Sequence, residues 1–188
     1  TSGLVVQGKT IAAVRGMNTL FRTRKVTRQY EALLIGHVTD DTGLIQFPLM
    51  RDYAHPPYMR VSTPAHQAAL LDLDADVVGK KLLEAPKPCL THYQVLSRDY
   101  WKDNPDLPIS RVTLTSISGR THQLNVHTAA FGHAIVGDTV YGLGGAAAPH
   151  GGLENNEYLG DTALPERFAA LTEPPTNECV HAASIQYV

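Results

Sequence analysis

The side chains best equipped for chemistry in this chain are its histidines, arginines, tyrosines and two cysteines, and their spacing excludes several reactions. His122 and His127 stand five apart with no Glu between them. They therefore miss the H-E-x-x-H arrangement, which sets two imidazoles and a carboxylate on one helix face around zinc. Gly142-Leu143-Gly144-Gly145 lacks the spacing of a phosphate loop, and no Lys-Ser or Lys-Thr follows it. There is no G-x-S-x-G elbow and no Ser/His/Asp order. Cys89 follows Pro88 at the start of a predicted strand and reads as a structural thiol. Arg22, Arg24, Lys25 and Arg28 crowd into seven positions. Such a cluster is either the solvated basic end of a helix or a patch that contacts phosphates. Residues 50–66 interleave Arg51, Tyr53, His55, Tyr58 and Arg60 with Pro56, Pro57 and Pro64. That is an irregular segment rich in groups that touch phosphates and bases. Tyr30 on a strand and Arg120 at a strand-to-helix corner would not be singled out by themselves.

The elements that position these residues follow from periodicity. Residues 4–6 form a short β-branched run, a predicted strand. Thr10 is a plausible N-cap for a helix with Ala13, Val14, Met17, Leu20 and Phe21 on one face. The basic cluster would close that helix, where cations suit the negative end of its dipole. Residues 29–38 alternate as a strand, with Tyr30, Ala32, Leu34, Gly36 and Val38 on one face. Asp40-Asp41-Thr42-Gly43 signals a turn and residues 44–49 return, which predicts a hairpin. Strands are predicted over 90–96 and 111–117, with a loop carrying Trp101 between them. Residues 72–76 read as an acidic surface loop. A helix is predicted over 121–131, stopped by Gly132. Residues 142–160 are rich in Gly, Ala and Asn and are expected to form a mobile loop. Strands and helices interleave around antiparallel pairing, so the fold class is α+β: a mostly antiparallel mixed sheet with flanking helices.

Composition agrees. The chain has 188 residues, 43% hydrophobic and 18% charged, with a formal net charge of −2. This is too apolar for a disordered chain and long enough for one domain with a real core. No stretch approaches the roughly 20 apolar residues of a membrane span. Charge is uneven: residues 1–60 hold eight basic and four acidic residues, and the remainder eight basic and fourteen acidic. Cys89 and Cys179 form neither a C-x-x-C pair nor a disulfide framework, which favours a reducing intracellular compartment, cytoplasm or organelle. Thr1 opens without a Met, and both ends read as cut.

The string around Arg120 carries more information than any residue in it. Gly119-Arg120-Thr121-His122-Gln123-Leu124, then Val126-His127, Gly132-His133, Ile135, Gly137-Asp138 and Tyr141-Gly142 resembles the RluA-type pseudouridine synthases. Their pattern is G-R-T-H-Q-(I/L)-R-V-H followed by L-G-H-P-I-x-G-D-x-x-Y-G. Thr1-Ser2-Gly3-Leu4-Val5-Val6 with Lys9-Thr10 resembles the segment after that family's catalytic motif. Gln29-Tyr30-Glu31-Ala32-Leu33 with Gly36 resembles the motif supplying its active-site Tyr. Lys87-Pro88-Cys89-Leu90-Thr91-His92-Tyr93 resembles its K-x-A-x-T-x-Y strand, and His181-Ala182 its late H-A motif. Pro48-Leu49-Met50-Arg51-Asp52, with Pro56-Pro57 after it, is also similar. The chain departs from the pattern at Asn125, where the family has Arg, and at Ala134, where it has Pro.

The resemblance implies an isomerase that converts uridine to pseudouridine in structured RNA, rRNA or tRNA, with no cofactor and no metal. Its catalytic Asp lies in H-R-L-D-x-x-T-S-G, three positions before Thr1, and is not in this chain. Residues 1–188 are thus expected to be an incomplete catalytic domain, inactive alone. Arg120 would pair with that Asp, and Tyr30 would face the detached uracil. Ile117 and Leu124 would help keep water from the intermediate. Arg22, Arg24, Lys25, Arg28, Arg51 and Arg60 would hold the RNA backbone. A rival reading is an RNA-binding relative without catalysis, and the residue three positions before Thr1 discriminates the two.

Overall fold

The computed structural model describes residues 1–73, 79, 82–171 and 178–187. Asp74 and Asp76 of the expected acidic loop lie outside the described residues. Strands β1 (Ser2–Gly3), β2 (Val26–Ile35), β3 (Thr42–Ile45), β6 (Thr91–Tyr100), β7 (Pro108–Ser116) and β8 (Val180–Tyr187) form one sheet in the order β1-β8-β2-β7-β6-β3. Among the described residues only β1 runs parallel to its neighbour; every other pair is antiparallel. Strands β4 (Leu49–Arg51) and β5 (Met59–Val61) make a separate hairpin. The α-helices among the described residues are α1 (Ile11–Arg22), α2 (Pro64–Leu70), α3 (Gln123–Ala130) and α4 (Ala163–Leu171). The α+β class, with its mostly antiparallel mixed sheet, is the one the sequence predicts.

The core comprises more than one cluster, and Ile35, Leu107, Ile109, Val136 and Phe168 of α4 form one of them. In another, Ala32 and Leu34 of β2 and Val112 and Leu114 of β7 are buried, with less buried residues between the two members of each pair. These side chains pack with Leu124 of α3 and with Ile135. Each fully buried aliphatic side chain contributes roughly 1.5–3 kcal/mol. All of α3 except Asn125 is buried, as befits a helix that is not amphipathic. Gly132, at φ +96, lets the chain leave α3, with its N–H on Ala129 O and that of His133 on Thr128 O.

Four expectations are corrected. The first strand is Ser2–Gly3, not residues 4–6, and Leu4, Val5 and Val6 are exposed. Gly3 is what permits it, because a Cβ there would lie 2.5 Å from Ala182 O. The predicted β2–β3 hairpin does not form. Both edges of β2 are already taken, by β7 and β8, so β3 pairs with β6 instead. The segment 50–66 is not wholly irregular, since β4 and β5 pair within it. The face expected on α1 is only partly covered: Thr10 caps the helix by accepting from Ala13 N–H at 3.1 Å, and Met17, Leu20 and Phe21 are half-buried, but Ala13 and Val14 are exposed and no residue of α1 is fully buried.

Residues 142–160 have an anchored middle. Ala147 and Ala148 are buried, Ala147 N–H reaches Val140 O, and Gly151 and Gly152 pack against α3 and Arg60. Residues 154–157 are the exposed tip.

Candidate active site

The corner between β7 and α3 is held by one buried amide. Gln123 Oε1 accepts from the Ser118 hydroxyl at 2.8 Å and from Arg120 N–H at 2.9 Å. Its Nε2 donates to Leu90 O and Thr91 Oγ1, both at 2.9 Å. Every hydrogen-bonding position of the amide is used, and the two donors facing Oε1 fix which way round it sits. Ser118 Oγ also accepts Leu90 N–H, and Gly119 N–H reaches Ser116 Oγ. The backbone of Arg120 is thereby tied to β6 through a single side chain. Gly119 has φ +64, and a Cβ on it would lie 2.7 Å from Arg28 Nη2. Glycine suits the left-handed turn there, whereas the Arg28 tip could move aside.

This corner forms one wall of a cleft of about 540 Å³. Arg28 and Tyr30 from β2, Val180 from β8 and Thr1 complete the lining, with residues 119–125 opposite. The β1–β8 pairing brings Thr1 here: Ser2 lies beside His181 and Gly3 beside Ala182, and Ser2 Oγ is 2.9 Å from His181 Nδ1. The Arg28 guanidinium stacks 5.4 Å from the Phe21 ring, which orients it. Arg120 Nε is sealed from solvent and has no hydrogen-bond partner among the described residues. A buried donor left unpaired costs about 1–3 kcal/mol, and a charged one more. Arg120 also lines an adjoining depression of about 210 Å³ with Arg51 and Lys87.

Tyr30, Arg28, Arg120 and Leu124 therefore come together, and Arg51 lies next door. Arg22, Arg24 and Lys25 are exposed where α1 gives way to β2 and do not line the cleft. Two expectations fail on placement. Arg60 is buried, its Nη2 donates to Gly152 O and its Nε to Val61 O, so it ties β5 to the 142–160 segment instead of holding RNA. Ile117 is 46% exposed and lies outside the cleft lining, so it excludes no water there. Val180 provides that apolar wall with Leu124.

Sequence reasoning missed Gln123, His122 and Asn125 as cleft residues with defined partners, although all three stand in the string around Arg120. Asn125 Nδ2 donates to Asp138 Oδ2 and to Glu178 Oε1. Asp138 Oδ1 accepts Val140 and Tyr141 N–H, each at 2.9 Å. That carboxylate is fully engaged in holding the loop after α3. Cys89 is buried with its thiol on Lys87 O, and burial pushes its pKa up, as expected of a structural thiol.

A cleft with a flat aromatic, two guanidinium groups and an apolar floor, on a mixed antiparallel sheet, defines a class. Residues 1–130 match the RNA pseudouridylate synthase family, and the chain belongs to it. Within it the chain is similar to the RluA type. It is 37% identical over 141 residues to the dual-specificity RNA pseudouridine synthase RluA of Yersinia pestis, covering 75% of this chain and 56% of the relative. It is 36% identical to the same enzyme of Escherichia coli strain K12, covering 75% and 52%. The chain thus spans about half the length of the curated relatives it matches. Among solved structures, human RNA pseudouridylate synthase domain containing 1 superposes with a TM-score of 0.60 at 26% identity, over 94% of this chain and 56% of that one. Human RNA pseudouridylate synthase domain containing 4 shares the fold, with a TM-score of 0.54 at 21% identity, over 94% and 59%.

Proposed function

We propose that the protein containing this chain isomerises uridine to pseudouridine in structured RNA, rRNA or tRNA, and that the cleft beside Arg120 is where it does so. The observation that carries the proposal is the cleft itself, which brings Arg120, Tyr30 and Thr1 together on one lining. The reaction breaks the N1–C1′ bond, turns the uracil and joins C5 to C1′, so it needs a carboxylate near the sugar as nucleophile or base. A carboxylate three residues ahead of Thr1 would be at most about 11 Å along the chain from the cleft. Arg120 would hold it ionised and oriented by a charge-assisted hydrogen bond. Tyr30 offers a face for the detached uracil and a hydroxyl for proton movement. Leu124 and Val180 keep water from the intermediate.

A uridine within a folded RNA must be flipped out to enter. Arg28 in the cleft and Arg51 beside it would hold the flanking phosphates, and Arg22, Arg24 and Lys25 would meet backbone farther out. Residues 1–188 would then be part of a catalytic domain, inactive alone, with movement in the 142–160 segment confined to its exposed tip.

Arg120→Ala in the full-length protein tests this. Turnover on uridine-containing rRNA and tRNA should vanish while RNA affinity stays within about tenfold, or about 1.4 kcal/mol. A far larger loss of binding would make Arg120 a phosphate contact. The rival reading, binding without turnover, requires a full-length protein that binds RNA and forms no pseudouridine.

A further inference from the structure

His122 lines the cleft with one ring nitrogen held by a partner inside the protein. It caps α3 in the left-handed region, at φ 48. Its Nδ1 lies 2.8 Å from Tyr141 Oη. The two rings meet edge to face, 5.6 Å between centroids and 71° between planes. Tyr141 Oη itself accepts Met59 N–H at 3.1 Å. Tyr141 is only 3% exposed, so its hydroxyl proton needs an acceptor inside the protein. His122 Nδ1 is the acceptor within reach. Burial pushes the Tyr141 phenol up to about 12, so it keeps that proton to donate. In the neutral imidazole one nitrogen accepts and the other carries the hydrogen. Nε2 is therefore the N–H of His122, and no partner for it occurs among the described residues.

We propose that His122 Nε2–H donates a hydrogen bond to a nonbridging phosphate oxygen of the nucleotide whose uridine enters the cleft. This rests on the reading of the cleft as a uridine site. His122 is exposed, on the lip of the cleft, while Tyr30, Leu124 and Val180 line it further in. The lip is where the sugar–phosphate backbone of a flipped nucleotide must pass. Arg28 and Arg120 line the same cleft and supply the positive field an anion needs. The nearby carboxylates of Asp138 and Glu178 are both bonded to Asn125, which tempers their repulsion. The Met59–Tyr141–His122 chain makes the donor pre-oriented: the imidazole loses little freedom when the phosphate arrives.

The test pairs two variants with a modified RNA. His122→Asn is compatible with the left-handed backbone and keeps an amide at the Nδ1 position, but removes the donor at Nε2. His122→Gln places an amide N–H near Nε2. The probe is an RNA hairpin with a single loop uridine, with and without a methylphosphonate at either phosphate of that uridine. In the full-length protein, His122→Asn should weaken binding about tenfold, the worth of one such hydrogen bond, and His122→Gln should restore most of it. The methylphosphonate at one of the two positions should weaken the wild type and His122→Gln alike and cost His122→Asn about tenfold less, since only the charge contribution of the arginines remains to be lost there. Equal methylphosphonate penalties in all three proteins overturn the proposal, as does a wild type indifferent to both modifications. Turnover is scored separately. Pseudouridine formed with flat methylphosphonate penalties leaves the function standing and sinks the His122 contact. The expected pattern without turnover does the reverse.

Discussion

At the residue scale, Arg120 matters through what fixes it, and that is Gln123. Its amide saturates four partners on two segments: Ser118 and Arg120 at the corner, and Leu90 and Thr91 at the start of β6. Gln123→Ala leaves those groups unpaired and a cavity beside them. A loss of about 3 kcal/mol in unfolding free energy is expected. Urea denaturation reads it directly, and a change under about 1 kcal/mol would mean that water replaces the amide without cost. The same scale shows where sequence alone stops. The string 119–124 marked Arg120, and its family pattern brought in Tyr30, which the structure sets in the same cleft. Arg60 and Ile117 were misread because charge and hydropathy do not say where a side chain points. Arg60 turns inward to Gly152 O and Ile117 turns out to solvent. Gln123 stood in the quoted string, but only geometry reveals that it reaches Leu90 and Thr91.

At the element scale, local signals were legible and pairings were not. The Thr10 cap, the stop at Gly132 and a strand carrying Tyr30, Ala32 and Leu34 are written in neighbouring residues, and all three occur, although the strand runs Val26–Ile35 and not over 29–38. Which strand lies beside which depends on residues far away. The turn at residues 40–43 looked like a hairpin because nothing local discloses that β7 and β8 already flank β2. Helix α1 makes the energetic consequence testable. None of its residues is fully buried, and an isolated helix of twelve residues is marginal in water. Its cap therefore carries unusual weight. Thr10→Ala, costing about 1 kcal/mol, should fray α1 without unfolding the sheet. Hydrogen exchange should quicken at the amides of Ile11–Arg22 and stay slow in α3. Uniform acceleration across both helices would mean that α1 unfolds only with the whole. Gly119→Ala acts at the corner. The positive φ and the 2.7 Å approach to Arg28 Nη2 both oppose a side chain. Arg28 must then retreat, and RNA affinity should fall about threefold to tenfold with the salt dependence of binding reduced. Unchanged affinity and slope would show that Arg28 does not touch RNA.

At the scale of the whole molecule, buried histidines tie stability to pH. His127 in α3 is fully buried, with Nε2 3.1 Å from Phe47 O. Burial lowers its pKa to about 4, and the bond to the Phe47 carbonyl only partly opposes that. His133 and His66 are lowered as well, first by burial. In the unfolded chain these imidazoles titrate near 6.5. Between those values the unfolded state binds protons that the folded state refuses, so stability falls with falling pH. The full contribution is present above pH 6.5 and drains away as pH drops toward 4. For His127 the difference amounts to about 3 kcal/mol over the window. Denaturation midpoints should therefore decline steadily from pH 7 to pH 4.5, before carboxylate protonation dominates. His127→Gln separates this histidine from the rest. Its neutral amide does not titrate, so the variant should start less stable at pH 7 yet show a shallower decline. A variant whose slope matches the wild type would place the pH dependence elsewhere, with His133 and His66 the next groups to replace. The decline matters for the cleft because His127 lies one turn along α3 from Gln123. Acid that loosens α3 should release the corner at Arg120 before it dismantles the sheet. Exchange of the Arg120 amide should accordingly quicken at a higher pH than that of Leu114 in β7, and simultaneous loss of both would show that corner and sheet unfold as one unit.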